Sequence, residues 1–367
     1  MPTTGQPTTG QPAARQRAKA FCARFGLRLP ILLAPMAGAC PPSLSIAVAN
    51  AGGLGAAGVL LMPPDEIAAW TNEVRSASNG AFQLNIWIPD PPANRDLAHE
   101  ASVREFLAGW GPPVPDEAVD VTPPDFAAQC EAMLAAGPPI VSSVMGLYPP
   151  EFVGRLKAKR IAWFANISTV AEARAAEAAG ADVIVAQGAE AGGHRGCFDA
   201  ALAEHQQVGL FALLPAVVDA VRVPVVATGG IADARGVAAA LTLGASAAQI
   251  GTGFLRCPEA KLHPAWADAL AHTAPEDTIV SRAFSGRAGR SIATNYARAA
   301  LAHDAPRPAP YPVQRALTAP MRGAAQKAND VQRMQAWAGQ SAALAKAEPA
   351  AELMQHIWQE ARALLGW

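Results

Sequence analysis

A histidine set inside a run of glycines is the first place where this chain can do chemistry. In Ala186-Gln187-Gly188-Ala189-Glu190-Ala191-Gly192-Gly193-His194-Arg195-Gly196 the glycines flank His194 and follow a short apolar run. Glycine lets the backbone approach a flat ligand closely. An imidazole, with an ordinary pKa of about 6.5, is suited to take a proton from a carbon acid near neutrality. His194 is therefore the candidate catalytic base. The competing possibility is a histidine that only bonds a neighbouring backbone group.

Two further glycine pairs sit one strand-plus-helix unit apart, in Ala227-Thr228-Gly229-Gly230-Ile231 and Gln249-Ile250-Gly251-Thr252-Gly253. Backbone N–H groups at Gly229, Gly230 and Gly251, with the Thr252 hydroxyl, are the equipment of a phosphate site. Alone, each pair would serve equally as a turn; together they point to one phosphate. Near the N-terminus, Leu33-Ala34-Pro35-Met36-Ala37-Gly38 ends an apolar run, and Ala34, Pro35 and Met36 offer small side chains and a proline-fixed turn on which a planar ring can rest. Asn85 and Gln187 can hydrogen-bond such a ring or its polar chain, or can simply be turn residues.

These loops need elements that bring them together. Short apolar runs near residues 31–34, 53–56, 82–86, 139–142, 161–164, 182–186, 223–227 and 247–250 alternate with Ala-rich stretches of helical length. Alternation of this kind is the pattern of βα units around a parallel sheet, and eight of them predict a closed α/β fold, the (β/α)8 or TIM barrel, with an appended C-terminal lid or small domain. In such a barrel catalytic groups gather at the C-terminal ends of the strands, and the seventh and eighth loops commonly hold phosphate. Thr169 with Glu172 spells a capping box, and Asp233 can cap the helix after the seventh strand. The expected organisation is a disordered tail over residues 1–15, a ligand-binding barrel over 16–255 with an insertion at about 87–126, a substrate-side lid over 256–340 and a C-terminal helix within 341–367 that packs back on the barrel.

Several function classes fall away. The 29 basic and 30 acidic residues nearly cancel and form no basic cluster, which argues against nucleic acid as a partner. No run is long and apolar enough to span a membrane, and the odd set of five cysteines lacks a CxxC pair, which fits the cytoplasm and argues against structural zinc. His194, His205 and His263 have no ligand-like spacing, so no metal is expected. Cys197 lies near the candidate site and is read as a small buried thiol rather than a nucleophile. Gly53-x-Gly55-x-x-Gly58, with Glu73 beyond it, matches the dinucleotide fingerprint in letters only, because these glycines follow an apparent helix instead of opening one.

On LAPMAG, AQGAEAGGHRG, ATGGI, QIGTGFL, the segment Phe284-Ser285-Gly286-Arg287-Ala288-Gly289-Arg290 and Trp337-Ala338-Gly339-Gln340, the chain resembles the nitronate monooxygenases, class I, over residues 24–365. That resemblance implies FMN as cofactor, with Gln187, Gly192, Gly193, Gly229, Gly230, Gln249, Gly251 and Thr252 at matching cofactor positions and His194 at the catalytic position. It implies nitronates such as propionate 3-nitronate as substrates, oxidised by O2 to carbonyl compounds and nitrite through a flavin semiquinone. Family members usually carry proline where Ala288 or Gly289 stands, which affects the lid. Tyr311, in the proline-rich part of that lid, is a candidate substrate contact. The partners are then a small-molecule nitronate and O2, with the chain a monomer or homodimer. Two alternatives remain: an NAD(P)H-dependent flavin reductase of quinones or enoyl thioesters, and a phosphate-binding barrel acting as an aldolase or a binding protein.

Overall fold

The computed structural model describes residues 13–92, 94–120 and 124–367. Eight parallel strands carry the fold: β1 (Ile31–Leu33), β2 (Gly55–Gly58), β3 (Phe82–Trp87), β4 (Ile140–Val144), β5 (Ala162–Ile167), β6 (Val183–Gln187), β8 (Val225–Thr228) and β9 (Ala247–Ile250). The two-residue strand β7 (Gly193–His194) belongs to a second sheet with β10 (Thr278–Ser281) and β11 (Gly289–Ile292). The large sheet runs β1-β9-β8-β6-β5-β4-β3-β2 and is closed by the Leu32–Leu54 bridge, where Leu33 N donates to Leu54 O at 2.9 Å. The (β/α)8 barrel expected from the alternating pattern is therefore the fold.

Strands buried on both faces read as continuous apolar runs, and here alternate residues divide between two cores. Leu32, Phe164, Val183, Val185 and Val226 fill the barrel, while Ile31, Leu33, Ala165, Ile184 and Ala227 pack outward against the helices. Helix Ala14–Phe25 closes the barrel's N-terminal end, with the Phe25 ring edge-on to Phe164 at 5.0 Å. This corrects the expected tail: residues 1–12 lie outside the described residues, and Ala14 and Arg15 already belong to a helix anchored by Phe21 and Phe25. Gly55 seats helix Pro42–Asn50 on the sheet, since a Cβ there would stand 2.8 Å from Ser45 O, and Gly58 lets the Ala37 backbone approach; Gly55 and Gly58 are the ends of β2 and open no helix. The capping box forms, with Thr169 Oγ1 accepting from Glu172 N at 3.2 Å and the Glu172 carboxylate accepting from Thr169 N at 3.1 Å. Asp233 likewise caps helix Ala234–Thr242.

The last helix, Ala350–Leu365, packs against helices Ala234–Thr242 and Pro42–Asn50, the place of the barrel's eighth helix. Residues 251–349 are thus an excursion between the eighth strand and its helix. That excursion has a small core of its own, in which Phe284, Tyr296, Val313, Leu317 and Met321 meet Val103 and Leu107 from helix Leu97–Ala108, the insertion after β3. Burying each such side chain stabilises by about 1.5–3 kcal/mol, enough to hold both additions over the C-terminal mouth. β11 pairs with β7, Gly289 opposite His194, so the excursion is stitched to the loop after β6. No described helix is long and apolar enough to cross a membrane.

Candidate active site

All fourteen residues singled out from the sequence line one cavity at the C-terminal mouth: Ala34, Pro35, Met36, Asn85, Gln187, Gly192, Gly193, His194, Gly229, Gly230, Gln249, Gly251, Thr252 and Tyr311. The pairing of Thr228 with Gln249 sets the two glycine loops side by side, as one shared phosphate requires. Gly229 and Gly230 have φ of +113° and +68°, a region closed to most side chains, which turns the loop back across the barrel mouth. A Cβ at Gly192 would come within 2.5 Å of Gly339 N and 3.0 Å of Thr252 Oγ1, so the close approach of three segments depends on that glycine. Thr252 Oγ1 accepts from Gly339 N at 3.0 Å, which leaves its own hydroxyl hydrogen free to donate into the cavity.

Some of the polar candidates are already engaged within the protein. Gln187 Nε2 donates to His194 O at 3.2 Å and its Oε1 accepts from Gly196 N at 2.8 Å, so this side chain braces the histidine loop from below. Gln249 Oε1 accepts from Gln83 Nε2 at 3.1 Å, and Asn85 Nδ2 donates to Ser142 Oγ at 3.0 Å. Arg195 and Arg290 pin the same loop from outside, donating at 2.9 Å to Gly188 O and Ala189 O respectively. Cys197 is buried and its thiol is pushed up to about 11, chiefly by burial, so it stays protonated.

His194 stands at the cavity wall. Its ring lies edge-on to Trp87 with centroids 4.5 Å apart and 4.7 Å from Trp337 on the other side, while Nε2 meets Ser285 Oγ at 2.8 Å. One edge stays open to the cavity. Burial first, then the positive charges of Arg287 and Arg315, push its pKa down to about 3, far below the ordinary imidazole value assumed from the sequence. The histidine is neutral at physiological pH. Tyr311 completes the wall, its ring 5.3 Å from that of Trp87, and burial raises its phenol. Gly289, where the resemblance leads one to expect proline nearby, pairs with His194 and would set a Cβ 2.9 Å from the Trp337 ring.

Five cavity or near-cavity residues carried no assigned role in the sequence: Trp87, Asn166, Ser285, Arg315 and Trp337. Arg287 is only 1% exposed and is paired with Asp90 from the insertion, whereas the guanidinium of Arg315 lines the cavity with no partner among the described residues. Among the described residues no Asp or Glu lines the cavity. The mouth is therefore electropositive with aromatic walls. Asn166 Oδ1 is buried and also lacks a partner. Ser285 and Trp337 stand in segments the sequence did flag; nothing local marked Asn166 or Arg315, whose positions depend on the excursion and on the fifth strand's register.

Comparison with known proteins bears on what such a cavity does. One family profile, "Nitronate monooxygenase", matches residues 20–360. A protein of Paraburkholderia phytofirmans named nitronate monooxygenase is 38% identical over 348 residues, covering 93% of this chain and 94% of that protein. Among solved structures, a nitroalkane oxidase from Streptomyces ansochromogenes superposes with a TM-score of 0.82 at 35% identity, covering 92% of this chain and 98% of that one. FabK from Thermotoga maritima superposes with a TM-score of 0.73 at 27% identity, covering 95% and 97%.

Proposed function

The chain belongs to the nitronate monooxygenase family, and on that premise we propose that it binds FMN and oxidises alkyl nitronates with dioxygen to carbonyl compounds and nitrite. The donor set fits FMN. Gly229, Gly230, Gly251 and Thr252 bring backbone N–H groups and a hydroxyl to the cavity wall, the donors a phosphate needs, and Ala34, Pro35, Met36, Gly192 and Gly193 offer small, flat surfaces for the ring, with Asn85, Gln187 and Gln249 at its polar edge. FMN, when bound, supplies the electron chemistry that couples nitronate oxidation to dioxygen.

The observation that carries this reading is the pairing of a neutral histidine with an unpartnered arginine on an aromatic wall that faces the cradle. Arg315 attracts the nitronate anion and Trp87, Trp337 and Tyr311 exclude water from it, which strengthens the attraction. His194 meets the substrate's α-carbon region as a neutral ring. A fall from 6.5 to about 3 corresponds to about 5 kcal/mol against the imidazolium. Deprotonating a neutral nitroalkane is therefore uphill, and preformed nitronate is the preferred substrate. Where a nitroalkane does react, the anion that forms beside the ring offsets the neighbouring cations and makes His194 the proton acceptor.

Oxygen uptake and nitrite release by the FMN-loaded protein, with ethyl nitronate, propionate 3-nitronate and NADH as separate substrates, test the proposal. Fast uptake and stoichiometric nitrite with nitronates support it; turnover of NADH alone would overturn it. The barrel shared with FabK is not specific to nitronate chemistry, so NAD(P)H-dependent flavin reduction is the second reading, and the NADH arm separates the two.

A further inference from the structure

We propose that Ser285 is a positioning residue that selects the reacting nitrogen of His194: Nε2 carries the ring hydrogen and gives it to Ser285, and Nδ1 is the atom that faces substrate and accepts its proton. The proposal rests on His194 acting as the base. A neutral imidazole has one N–H and one lone pair, and its partner decides which nitrogen has which. Ser285 Oγ lies 2.8 Å from Nε2, donates to Arg287 O at 3.1 Å and accepts from Arg287 N at 3.3 Å. A hydroxyl has one hydrogen. With that hydrogen committed to the Arg287 carbonyl, the short contact to the ring is Nε2–H donating to Oγ.

The surroundings leave Ser285 little choice. It is 1% exposed and is not among the residues that line the cavity, and its segment is fixed on both sides: Thr318 Oγ1 donates to Phe284 O at 2.7 Å, and the Arg287 side chain binds Asp90 and donates to Cys197 O at 2.8 Å. Nδ1 of His194 has no hydrogen-bond partner among the described residues, and it is not among their fully buried, unsatisfied atoms. It is the ring's open edge on the cavity side.

The same contact matters after proton transfer. The groups facing the ring are Trp87 and Trp337, which are neutral, Tyr311 on the same wall, and the cations Arg287 and Arg315, of which Arg287 is countered by Asp90. Against two cations, the chain from Nε2–H to Ser285 Oγ and on to the Arg287 carbonyl presents a negative end to the imidazolium. When Nδ1 takes the α-proton, the C–H electron pair stays with the substrate as the nitronate, and Nε2–H keeps its acceptor, so no second proton has to move. Glycine at 286, with φ of +84°, permits the tight turn that returns Arg287 O to the Ser285 hydroxyl.

The test is the histidine tautomer itself, read by two-bond ¹H–¹⁵N correlation on the FMN-loaded full chain labelled at its 7 histidines, with His194→Asn assigning the signal. We expect the neutral Nε2–H pattern at pH 7 in the wild type, its loss in Ser285→Ala and its return in Ser285→Thr. An Nδ1–H pattern in the wild type, or an unchanged pattern in Ser285→Ala, overturns the proposal. Kinetically, Ser285→Ala lowers kcat for nitroethane at least about 10-fold more than kcat for ethyl nitronate, with KM little altered, because a misoriented base penalises only the substrate that must lose a proton. Equal losses with both substrates would mean that Ser285 only supports the fold. If instead His194→Asn leaves nitroethane turnover intact, it is the base assignment that fails, whatever the tautomer proves to be.

Discussion

Replacing Arg315 with glutamine removes the cavity's unpartnered cation while keeping most of its bulk and its hydrogen-bonding reach. At an effective dielectric of about 20, unit charges about 6–8 Å apart attract by about 2–3 kcal/mol. Arg315 is only half-buried, so solvent and salt reduce this, and a loss of about 1–2 kcal/mol for an anion bound near His194 is the working figure. That corresponds to a rise of about 5- to 30-fold in KM for ethyl nitronate. A neutral nitroalkane lacks that charge in its ground state. Removing a cation also raises the His194 pKa from its depressed value, so kcat/KM for nitroethane falls by less than about 3-fold or improves. Oxygen uptake for both substrates at fixed pH and ionic strength, beside Arg315→Lys, reads the difference, and the lysine variant stays within about 3-fold of wild type on both. Equal losses for anionic and neutral substrates, with flavin still bound, would refute the charge argument and reduce Arg315 to a packing residue.

His194→Asn keeps its flavin and loses about 10²-fold or more with nitroethane while retaining part of its activity on preformed nitronate; parallel losses on both substrates would count against the base role. Gly192→Ala drives a Cβ to 2.5 Å from Gly339 N, and Thr252→Val orphans that N–H while deleting the cradle hydroxyl, so both variants release FMN on gel filtration; retained yellow colour would mean the phosphate sits elsewhere. Because the folded-state pKa of His194 is depressed to about 3, the unfolded chain binds the extra proton first: the cost is absent above the unfolded value of about 6.5 and grows as pH falls toward 3. Urea titrations should then show wild type losing about 2 kcal/mol between pH 6.5 and pH 5 that His194→Asn does not lose, and identical slopes would contradict the depressed value.

What could be read from the sequence followed locality. The glycine loops, Ala34-Pro35-Met36 and His194 are each set by a few consecutive residues, and a barrel places every such loop at one mouth; hence the candidates converge once eight strands are recognised. Caps such as Thr169 with Glu172 are equally local. The histidine's ionisation was not legible, because it depends on Arg287 and Arg315, which arrive about 100 residues later through the excursion. Nor was the second sheet: a two-residue strand such as β7 has no periodicity to detect and exists only because β11 pairs with it. The bracing of the histidine loop by Gln187 was hidden for the same reason, since each end of its amide bonds a residue of the loop it precedes.

The depressed imidazole and the proposed base role are compatible because affinity and basicity are linked. Whatever a bound anion does to the His194 pKa, protonation of His194 does to the anion's affinity by the same factor. Burial and two cations keep the ring neutral, which avoids a third positive charge on a wall that contains no carboxylate among the described residues. The nitronate that forms as a bound nitroalkane loses its α-proton supplies the missing negative charge, so the imidazolium is stabilised only as that anion appears beside the ring. A site tuned the other way, with an acid beside His194, would hold an imidazolium at rest. That ring could donate a hydrogen bond but could not accept a proton, and the acid would repel the anion the cavity has to admit. The placement of Asp90 fits this logic: it neutralises Arg287 from the far side, at the insertion, and leaves the charge that faces substrate to Arg315.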